Sequence, residues 1–212
     1  MLHTQTVEST TLELLKSLQS KDYLKEFNLV GGTALALYMG HRKSIDIDLF
    51  SNFNFDTAQM IEFIQQDYPL QLNYTAPNTI KGNIENINID IIAHKYPYLN
   101  EPSIIEGIWI LSEPDIIAMK LNAIATSGQR SKDFIDIYFF LANNKYAIGD
   151  MLKFYQTKYN QQGDMHVLKS LLYFDDVNLS DWPILLSKPH LKWTTIKKKI
   201  ENEVFHFLKE LT

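Results

Sequence analysis

Two aspartates separated by one residue, Asp46 and Asp48, have the residue type and spacing for metal chemistry. They lie in segment 44–50, where polar and apolar residues alternate, which predicts a β-strand. Residues two apart on a strand share a side, so both carboxylates should project from one face while Ile45 and Ile47 face the core. Neighbouring carboxylates repel each other unless a cation lies between them, and oxygen ligands suit Mg²⁺ or Mn²⁺. The alternative is a solvated strand face on which water screens the repulsion.

A third carboxylate, Asp90, lies in a second predicted strand at 87–93. The isoleucines of this strand form one face, and Asp90 lies on the other. If the two strands are neighbours, Asp90 joins Asp46 and Asp48, and three carboxylates can hold two Mg²⁺ ions about 4 Å apart for in-line displacement at phosphorus. The alternative is a charge at the edge of a strand.

A glycine pair followed by a threonine, Gly31-Gly32-Thr33, precedes the aspartates, with Gly32 fourteen residues before Asp46. The pair stands between a short apolar run and a predicted helix. Glycines at such a turn allow a phosphate to approach the backbone closely, and the helix N-terminus adds free N–H groups. The Thr33 hydroxyl is a further donor. Alone this is an ordinary turn, but with the D-x-D motif it predicts a site for a phosphate-bearing substrate.

Lys120 stands within an apolar stripe of a predicted helix, which is unusual for a lysine. It either extends to the surface or neutralises a bound triphosphate. On the next predicted helix, Asp133 falls in the first turn, where negative charge is favoured. Asp136 lies deeper and needs a partner, for which Lys120 is a candidate. Arg130 and Lys132 either bind phosphate or are solvated.

The elements that must position these residues alternate in the first part of the chain and are mostly helical afterwards. This order predicts an α+β fold with a small mixed sheet and helices, followed by a helical C-terminal part. We place the boundary after residue 142, giving a core of 1–142 and a helical region of 143–212 with a small basic surplus. Strands are predicted at 44–50, 70–75, 79–85, 87–93 and 104–111, and helices at 33–39, 57–67, 112–126, 132–141 and 195–211; a further helix has Ser9 as its N-cap.

The composition limits the classes of protein to consider. The chain has 212 residues, of which 45% are hydrophobic and 21% charged, and a formal net charge of −5, which argues against a general nucleic-acid coating protein. It contains no cysteine, which excludes disulfides and thiol nucleophiles. No apolar run reaches the roughly 18 residues of a membrane span, and the N-terminus lacks a signal-peptide pattern. We expect a cytoplasmic protein without membrane contact.

The motifs together resemble a known family. Segments 30–37 and 42–50 look like the first motif of the AbiEii/AbiGii nucleotidyltransferase toxin family, which belongs to the DNA polymerase β-like superfamily. The hallmark of that superfamily is a glycine pair followed by D-x-D. Segments 115–121 and 130–138 resemble the later motifs, a helix with a lysine and an R-x-x-D-F-x-D-[IL]-Y segment. The resemblance spans residues 28–141, and the C-terminal residues carry no matching motif.

The resemblance implies a nucleotidyltransferase fold and metal-dependent transfer of a nucleoside monophosphate from an NTP. In the implied mechanism Mg²⁺ bridges the D-x-D carboxylates and the NTP, a substrate hydroxyl attacks the α-phosphate in line, and pyrophosphate leaves. By position, Asp46, Asp48 and Asp90 would bind metal, and Asp90 would also act as a base. The residues for phosphate would be Gly31, Gly32, Thr33 and Arg42, with Lys120 for the triphosphate. Asp136 or Asp133 would complete the site, and Arg130 and Asp133 would be further nucleotide contacts.

The resemblance also implies a toxin restrained by a separately encoded antitoxin in a phage-defence type of system, and an RNA acceptor such as the tRNA 3′ end. A basic tract at 197–199 could contact RNA phosphates or be solvated, and Trp182 and Trp193 could stack on bases or pack internally. A protein or small-molecule hydroxyl is an alternative acceptor. A non-catalytic module that binds nucleotide or a partner protein is the alternative from another class.

Overall fold

One seven-stranded mixed sheet dominates the first part of the chain in the computed structural model, which describes residues 1–211. The strand order is β3-β4-β5-β2-β1-β7-β6, in which β2–β5 and β1–β7 are parallel and the other pairs antiparallel. The strands are β1 (Asn28–Leu29), β2 (Ile47–Ser51), β3 (Gln71–Ala76), β4 (Thr79–Ile84), β5 (Ile87–Ala93), β6 (Ser103–Ile105) and β7 (Ile108–Ile110). The mixed sheet agrees with the predicted α+β class.

Two compact units divide the chain, the first being Met1–Ser112 and the second beginning at Glu113. The first unit holds the sheet, a 3₁₀ turn (Thr4–Thr6) and helices α1 (Ser9–Gln19), α2 (Gly31–Met39) and α3 (Thr57–Asp67). The second unit holds α4 (Glu113–Thr126), α5 (Ser131–Ala142), α6 (Ile148–Tyr159), α7 (Met165–Leu171) and α8 (Trp193–Glu210). The boundary predicted after residue 142 lies at the end of α5. That the parts on its two sides differ in function stays a prediction. None of the helices described in residues 1–211 combines the length and the apolar character that crossing a membrane requires.

The two faces of the sheet differ in chemistry because side chains alternate along each strand. In β2, Ile47 and Leu49 are fully buried, whereas Asp48 between them is half-buried. The expectation that Ile45 faces the core is wrong, since Ile45 is 56% exposed. The reason is that β2 begins only at Ile47, so the alternation does not extend back to Ile45.

Turn residues account for the boundaries of several elements. Gly40 adopts a left-handed conformation (φ 66°) and ends α2, as predicted. Ser9 is the first residue of α1 and Glu8 holds the N-cap position, so the predicted Ser9 cap is wrong by one residue. The strand predicted at 104–111 is a hairpin of β6 and β7, because Glu106 (φ 54°) and Gly107 (φ 82°) form a turn with two left-handed residues.

Candidate active site

Asp48 and Asp90 are register partners on the parallel strands β2 and β5, so the predicted neighbourhood of the two strands is found. Both side chains lie on the face opposite the buried isoleucines. On β4, Lys81 is the register partner of Asp90, and its amine forms an ion pair with the Asp90 carboxylate. Three neighbouring strands therefore present an acid, an acid and a cation in one row. Sequence reasoning missed Lys81, because its partner strand cannot be read from local alternation.

Asp46 lies one residue before β2 and is fixed from two sides. The Asn88 side-chain amide donates to the Asp46 carboxylate over 3.0 Å. The Thr33 hydroxyl donates to the Asp46 backbone carbonyl. Thr33 is almost completely buried, with its hydroxyl oxygen 2.9 Å from that of Ser44. Thr33 therefore holds the start of α2 against the segment that carries Asp46.

Gly31 brings the turn after β1 into contact with Asp48. Its φ of +69° lies in the left-handed region, which favours glycine. A Cβ atom placed at Gly31 would overlap the Asp48 carboxylate and lie 2.9 Å from Asp48 Cγ. The backbone N–H of Val30 donates to the Asp48 carbonyl over 2.9 Å. The glycine turn and the acidic strand thus form one local structure.

Arg42 brings a positive charge to the second glycine. A Cβ atom at Gly32 would overlap one guanidinium nitrogen of Arg42, whose side chain is only 2% exposed. Another guanidinium nitrogen donates to the Lys43 carbonyl over 3.1 Å. Because the guanidinium packs directly on the glycine backbone, its charge lies where the motif predicts a phosphate group.

The donor chemistry of this site fits a hard divalent cation. The side chains of Asp46, Asp48 and Asp90 offer only oxygen ligands, which Mg²⁺ and Mn²⁺ prefer. Within residues 1–211 no three His, Cys, Asp or Glu side chains converge closely enough to make a ready-formed metal cluster. Lys81 and Asn88 engage Asp90 and Asp46 respectively. Asp46 and Asp48 are the residues that would hold a metal, with Asp90 on the next strand.

In the second unit, Lys120 forms a buried ion-pair group with the two aspartates of α5. Its amine lies 2.6 Å from Asp133 and 2.9 Å from Asp136. The three side chains are 7%, 6% and 0% exposed, so Lys120 does not extend to the surface. The predicted pairing of Asp136 with Lys120 is found, and Asp133 shares the same lysine. Arg130 stands at the N-cap position of α5 and is exposed.

A second buried ion pair joins α4 to α6 and was missed by sequence reasoning. The Lys158 amine donates to Asp115 over 2.7 Å, and both side chains are at most 1% exposed. The sequence carried one signal that Lys158 is buried. This lysine lies between Tyr155 and Tyr159, which both face the core. A buried lysine requires an acid partner, but the sequence does not say which helix supplies it.

The tryptophans and the basic tract of the C-terminal region are engaged within the second unit. Trp193 packs edge-to-face on Phe134, Phe174 and Trp182 at centroid distances of 5.8, 5.7 and 6.4 Å. These contacts match the packing interpretation of both tryptophans. In the tract, Lys199 pairs with Glu203 and Lys197 lies over the Phe174 ring.

Comparison with solved structures identifies the class of this fold. A proposed nucleotidyltransferase from Helicobacter pylori matches with a TM-score of 0.56 and 16% identity, over 96% of this chain and 97% of that one. The crystal structure of JHP933, also from Helicobacter pylori, matches with a TM-score of 0.55 and 17% identity, over 97% and 94% of the two chains. The fold is that of the nucleotidyltransferases, which confirms the predicted fold class.

Sequence comparison then gives the family. The model of the family described as "Nucleotidyl transferase AbiEii toxin, Type IV TA system" matches residues 13–73 and 60–207. The uncharacterised protein aq_aa25 of Aquifex aeolicus (strain VF5) is 31% identical over 168 residues, covering 77% of this chain and 81% of the relative. The chain belongs to the AbiEii nucleotidyltransferase toxin family, as the resemblance of its motifs predicted. It is a nucleotidyltransferase of the toxin–antitoxin type.

Proposed function

We propose that this protein transfers a nucleoside monophosphate from an NTP to an RNA acceptor, such as the 3′ end of a tRNA, in a metal-dependent reaction. Through this reaction it acts as the toxin of a system with a separately encoded antitoxin. The observation that carries the proposal is the contact between the Gly31 turn and the Asp48 carboxylate, with Asp90 beside Asp48 on the parallel strand. This arrangement puts a phosphate-binding turn and an acidic pair within one local structure.

The glycine turn and the start of α2 bind and orient the phosphates of the NTP. The backbone N–H groups at Gly31 and Gly32 stand at the N-terminus of α2, where the helix dipole favours negative charge. The buried Arg42 guanidinium adds a cation on the Gly32 backbone. Thr33 acts by positioning, since its hydroxyl holds the Asp46 carbonyl. These groups keep the α-phosphate in place for in-line attack.

The acids of β2 and β5 act on the reacting centre. Asp46 and Asp48 would hold a divalent cation, which when bound would supply charge neutralisation for the phosphate oxygens. The acceptor hydroxyl oxygen forms a bond to the α-phosphorus while the bond to the pyrophosphate oxygen breaks. Asp90 accepts the proton of the hydroxyl, and pyrophosphate leaves. Lys81 keeps the Asp90 carboxylate oriented by their ion pair.

Four further residues, Lys120, Arg130, Asp133 and Asp136, enter the proposal through the family resemblance. By their match to the later family motifs, Lys120 contacts the triphosphate and Asp136 or Asp133 completes the site, with Arg130 as a further nucleotide contact. Support for these roles comes from the order of the motifs in the sequence, and the Lys120 amine itself pairs with both carboxylates in the buried ion-pair group.

The test is a labelled-transfer assay with Mg²⁺, each of the four α-labelled NTPs in turn, and total tRNA. Label should appear on tRNA with one preferred NTP. The variant Asp48→Asn should lower the rate by about 10²–10³-fold, since one preorganised charge is lost at the reacting phosphate. Asp22→Asn, which makes the same change at a fully exposed side chain, should behave as the wild type.

The outcomes separate the competing functions. Label on protein or on a small molecule instead of tRNA would keep the chemistry and replace the acceptor. Full activity of Asp48→Asn would contradict the assigned site. If nothing is labelled and NTP binding does not depend on Mg²⁺, the non-catalytic module is the correct reading.

A further inference from the structure

An aromatic cavity of about 550 Å³ lies in the first unit, apart from the residues assigned to the reaction. Its wall includes three aromatic side chains, Phe53, Tyr98 and Trp109, and the amides of Asn28 and Asn52. Three aromatic rings around a space of this size provide stacking surfaces for a planar ring system.

Buried polar side chains hold the cavity walls in place. Asn28 is 4% exposed and its amide donates to the Tyr98 hydroxyl over 3.2 Å. Gln19, also 4% exposed, accepts from the Trp109 backbone N–H over 3.0 Å and donates to its carbonyl over 2.8 Å. Buried amides therefore hold the backbone of Trp109 and the hydroxyl of Tyr98 at two walls of the cavity.

The cavity opens on the same face of the sheet as the acids. Trp109 lies between Ile108 and Ile110, which are both fully buried, so its side chain points to the opposite face. Ile110 is the register partner of Leu29, so these two side chains share a face of the sheet. Asn28 and Trp109, each one residue earlier on its strand, therefore share the opposite face.

The register of β1 with β2 links this face to Asp48. Asn28 is opposite Phe50, two residues from Asp48 on the same side of β2. Asn52, which lines the cavity, directly follows the last residue of β2 and is four residues from Asp48 in the sequence. One sheet face therefore carries the reacting centre and the cavity at a short, fixed spacing.

The charges at the cavity select against a phosphate group. Glu26 and Glu101 line it and Lys25 is the single cation among the lining residues. This lining therefore favours a neutral base over a triphosphate as the group inside the cavity. The base of the reacting NTP is joined to its α-phosphate by one sugar, so it belongs close to Asp48. A base farther along an acceptor strand can lie at the greater distance that separates the cavity from Asp48.

We propose that this aromatic cavity binds an unpaired base of the acceptor nucleic acid, upstream of the reacting hydroxyl, by stacking on Trp109 and Tyr98. This inference rests on the proposed function, because it names a subsite for the acceptor of that reaction. Stacking accommodates every base, so the cavity positions single-stranded nucleic acid with little dependence on sequence.

The test measures binding without chemistry, using the full chain and fluorescein-labelled single-stranded oligonucleotides rA5, rC5 and rU5. The wild type should bind at least one of them, and the intrinsic fluorescence attributable to Trp109 should be quenched. Trp109→Ala should weaken binding at least about tenfold, in line with the loss of one stacked base. In Trp109→Phe the quench should vanish while anisotropy shows that binding persists, since phenylalanine still stacks.

The control is Tyr74→Ala, which removes a ring that is 57% exposed on β3 and lies outside the cavity. It should bind as the wild type does, and thermal unfolding should show that the Trp109 variants are folded. Unchanged affinity in a folded Trp109→Ala, or no binding of any oligonucleotide by the wild type, would overturn the inference. In the transfer assay, Trp109→Ala should raise the KM for RNA and leave the KM for NTP unchanged.

The same design separates this inference from the proposed function. If the wild type transfers label only to protein, the RNA acceptor is wrong, and the oligonucleotide experiment still decides whether the cavity binds a base. If RNA is labelled but the Trp109 variants keep the wild-type KM for RNA, the reaction stands and the subsite is wrong.

Discussion

At the scale of single residues, the site depends on how closely a backbone approaches a carboxylate. Gly31 lies against Asp48 with no room for a Cβ atom, and Gly32 does the same against Arg42. Both glycines therefore do more than relax the backbone, because each sets the distance between the turn and a charged group. A phosphate placed in this turn would meet the helix N-terminus and both charged side chains at short range.

We predict that Gly31→Ala strongly lowers the rate of transfer while the chain still folds. The matched control is Gly107→Ala, because Gly107 also has a left-handed φ (+82°) but open space within 4 Å of an added Cβ. Both changes carry a similar backbone cost of about 1–2 kcal/mol. Only Gly31→Ala must also displace the Asp48 carboxylate.

The labelled-transfer assay and chemical denaturation together check this prediction. Transfer should fall at least about 100-fold in Gly31→Ala, as expected for a misplaced charge at the reacting centre. Gly107→Ala should lose stability but retain transfer. Equal losses of transfer in the two variants would mean that backbone strain alone, and not the contact with Asp48, accounts for the effect.

At the scale of elements, charged side chains within the second unit join α4 to both α5 and α6. Lys120 of α4 binds both aspartates of α5, and Lys158 of α6 binds Asp115 of α4. Removing one partner of a buried pair leaves an uncompensated charge, which costs far more than the pair itself contributes. These ion pairs therefore select one arrangement of α4, α5 and α6.

We expect Lys120→Met to lower the free energy of unfolding by about 3–5 kcal/mol, because Asp133 and Asp136 would remain buried without their cation. Lys199→Met removes the lysine of an i,i+4 pair with Glu203 in which both side chains are 29% exposed. This variant should change the free energy of unfolding by at most about 0.5 kcal/mol. Denaturant unfolding followed by circular dichroism measures both. A cost of less than 1 kcal/mol for Lys120→Met would mean that water reaches the site.

The difference between local patterns and tertiary pairings explains which features the sequence could predict. Helix α3 was predicted with its observed bounds, since 3.6-residue periodicity is local. The pairing of Lys120 with Asp136 followed from one lysine and one acid on neighbouring helices that each needed a partner. Lys81 and Lys158 were not found, because their partners come from elements whose pairing is set by the tertiary fold.

The cavity around Trp109 was missed for a related reason. Segment 104–111 was predicted as one strand, whereas two left-handed residues at its centre make a hairpin. Glu106 is an uncommon residue in that conformation, so the turn chemistry gave a weak signal. Once the hairpin exists, Ile108 and Ile110 face the core and Trp109 must face the other way.

At the scale of the whole molecule, a net charge of −5 limits how an RNA can be held. Affinity that came mainly from phosphate contacts would need a basic surface. In the tract 197–199, Lys199 pairs with Glu203 and Lys197 packs on Phe174, which leaves Lys198 as the exposed lysine of the tract. Contacts to bases, such as the proposed stacking, would then contribute much of the affinity.

We therefore predict a shallow dependence of tRNA affinity on salt. Replacing all three lysines at 197–199 with alanine should change the slope of log K against log[KCl] by less than about 0.7, the contribution of a single neutralised phosphate in single strands. Anisotropy of labelled tRNA across a KCl series gives the slope, with Lys95→Ala as a control at an exposed lysine outside the tract. A decrease of about 2 in the slope magnitude would show that the tract contacts phosphates.

The parallel pairing of β2 with β5 also bears on when during synthesis a toxin of this family becomes active. Asp48 meets Asp90 only after β5 has been made, and β1 gains its parallel neighbour only with β7, which ends at Ile110. Such distant pairings form late because the intervening chain must close first. A nascent chain that has just released the glycine turn and the D-x-D segment from the ribosome therefore lacks an assembled centre. The order of strands therefore delays assembly of the proposed acidic centre until β5 and β7 have been synthesised.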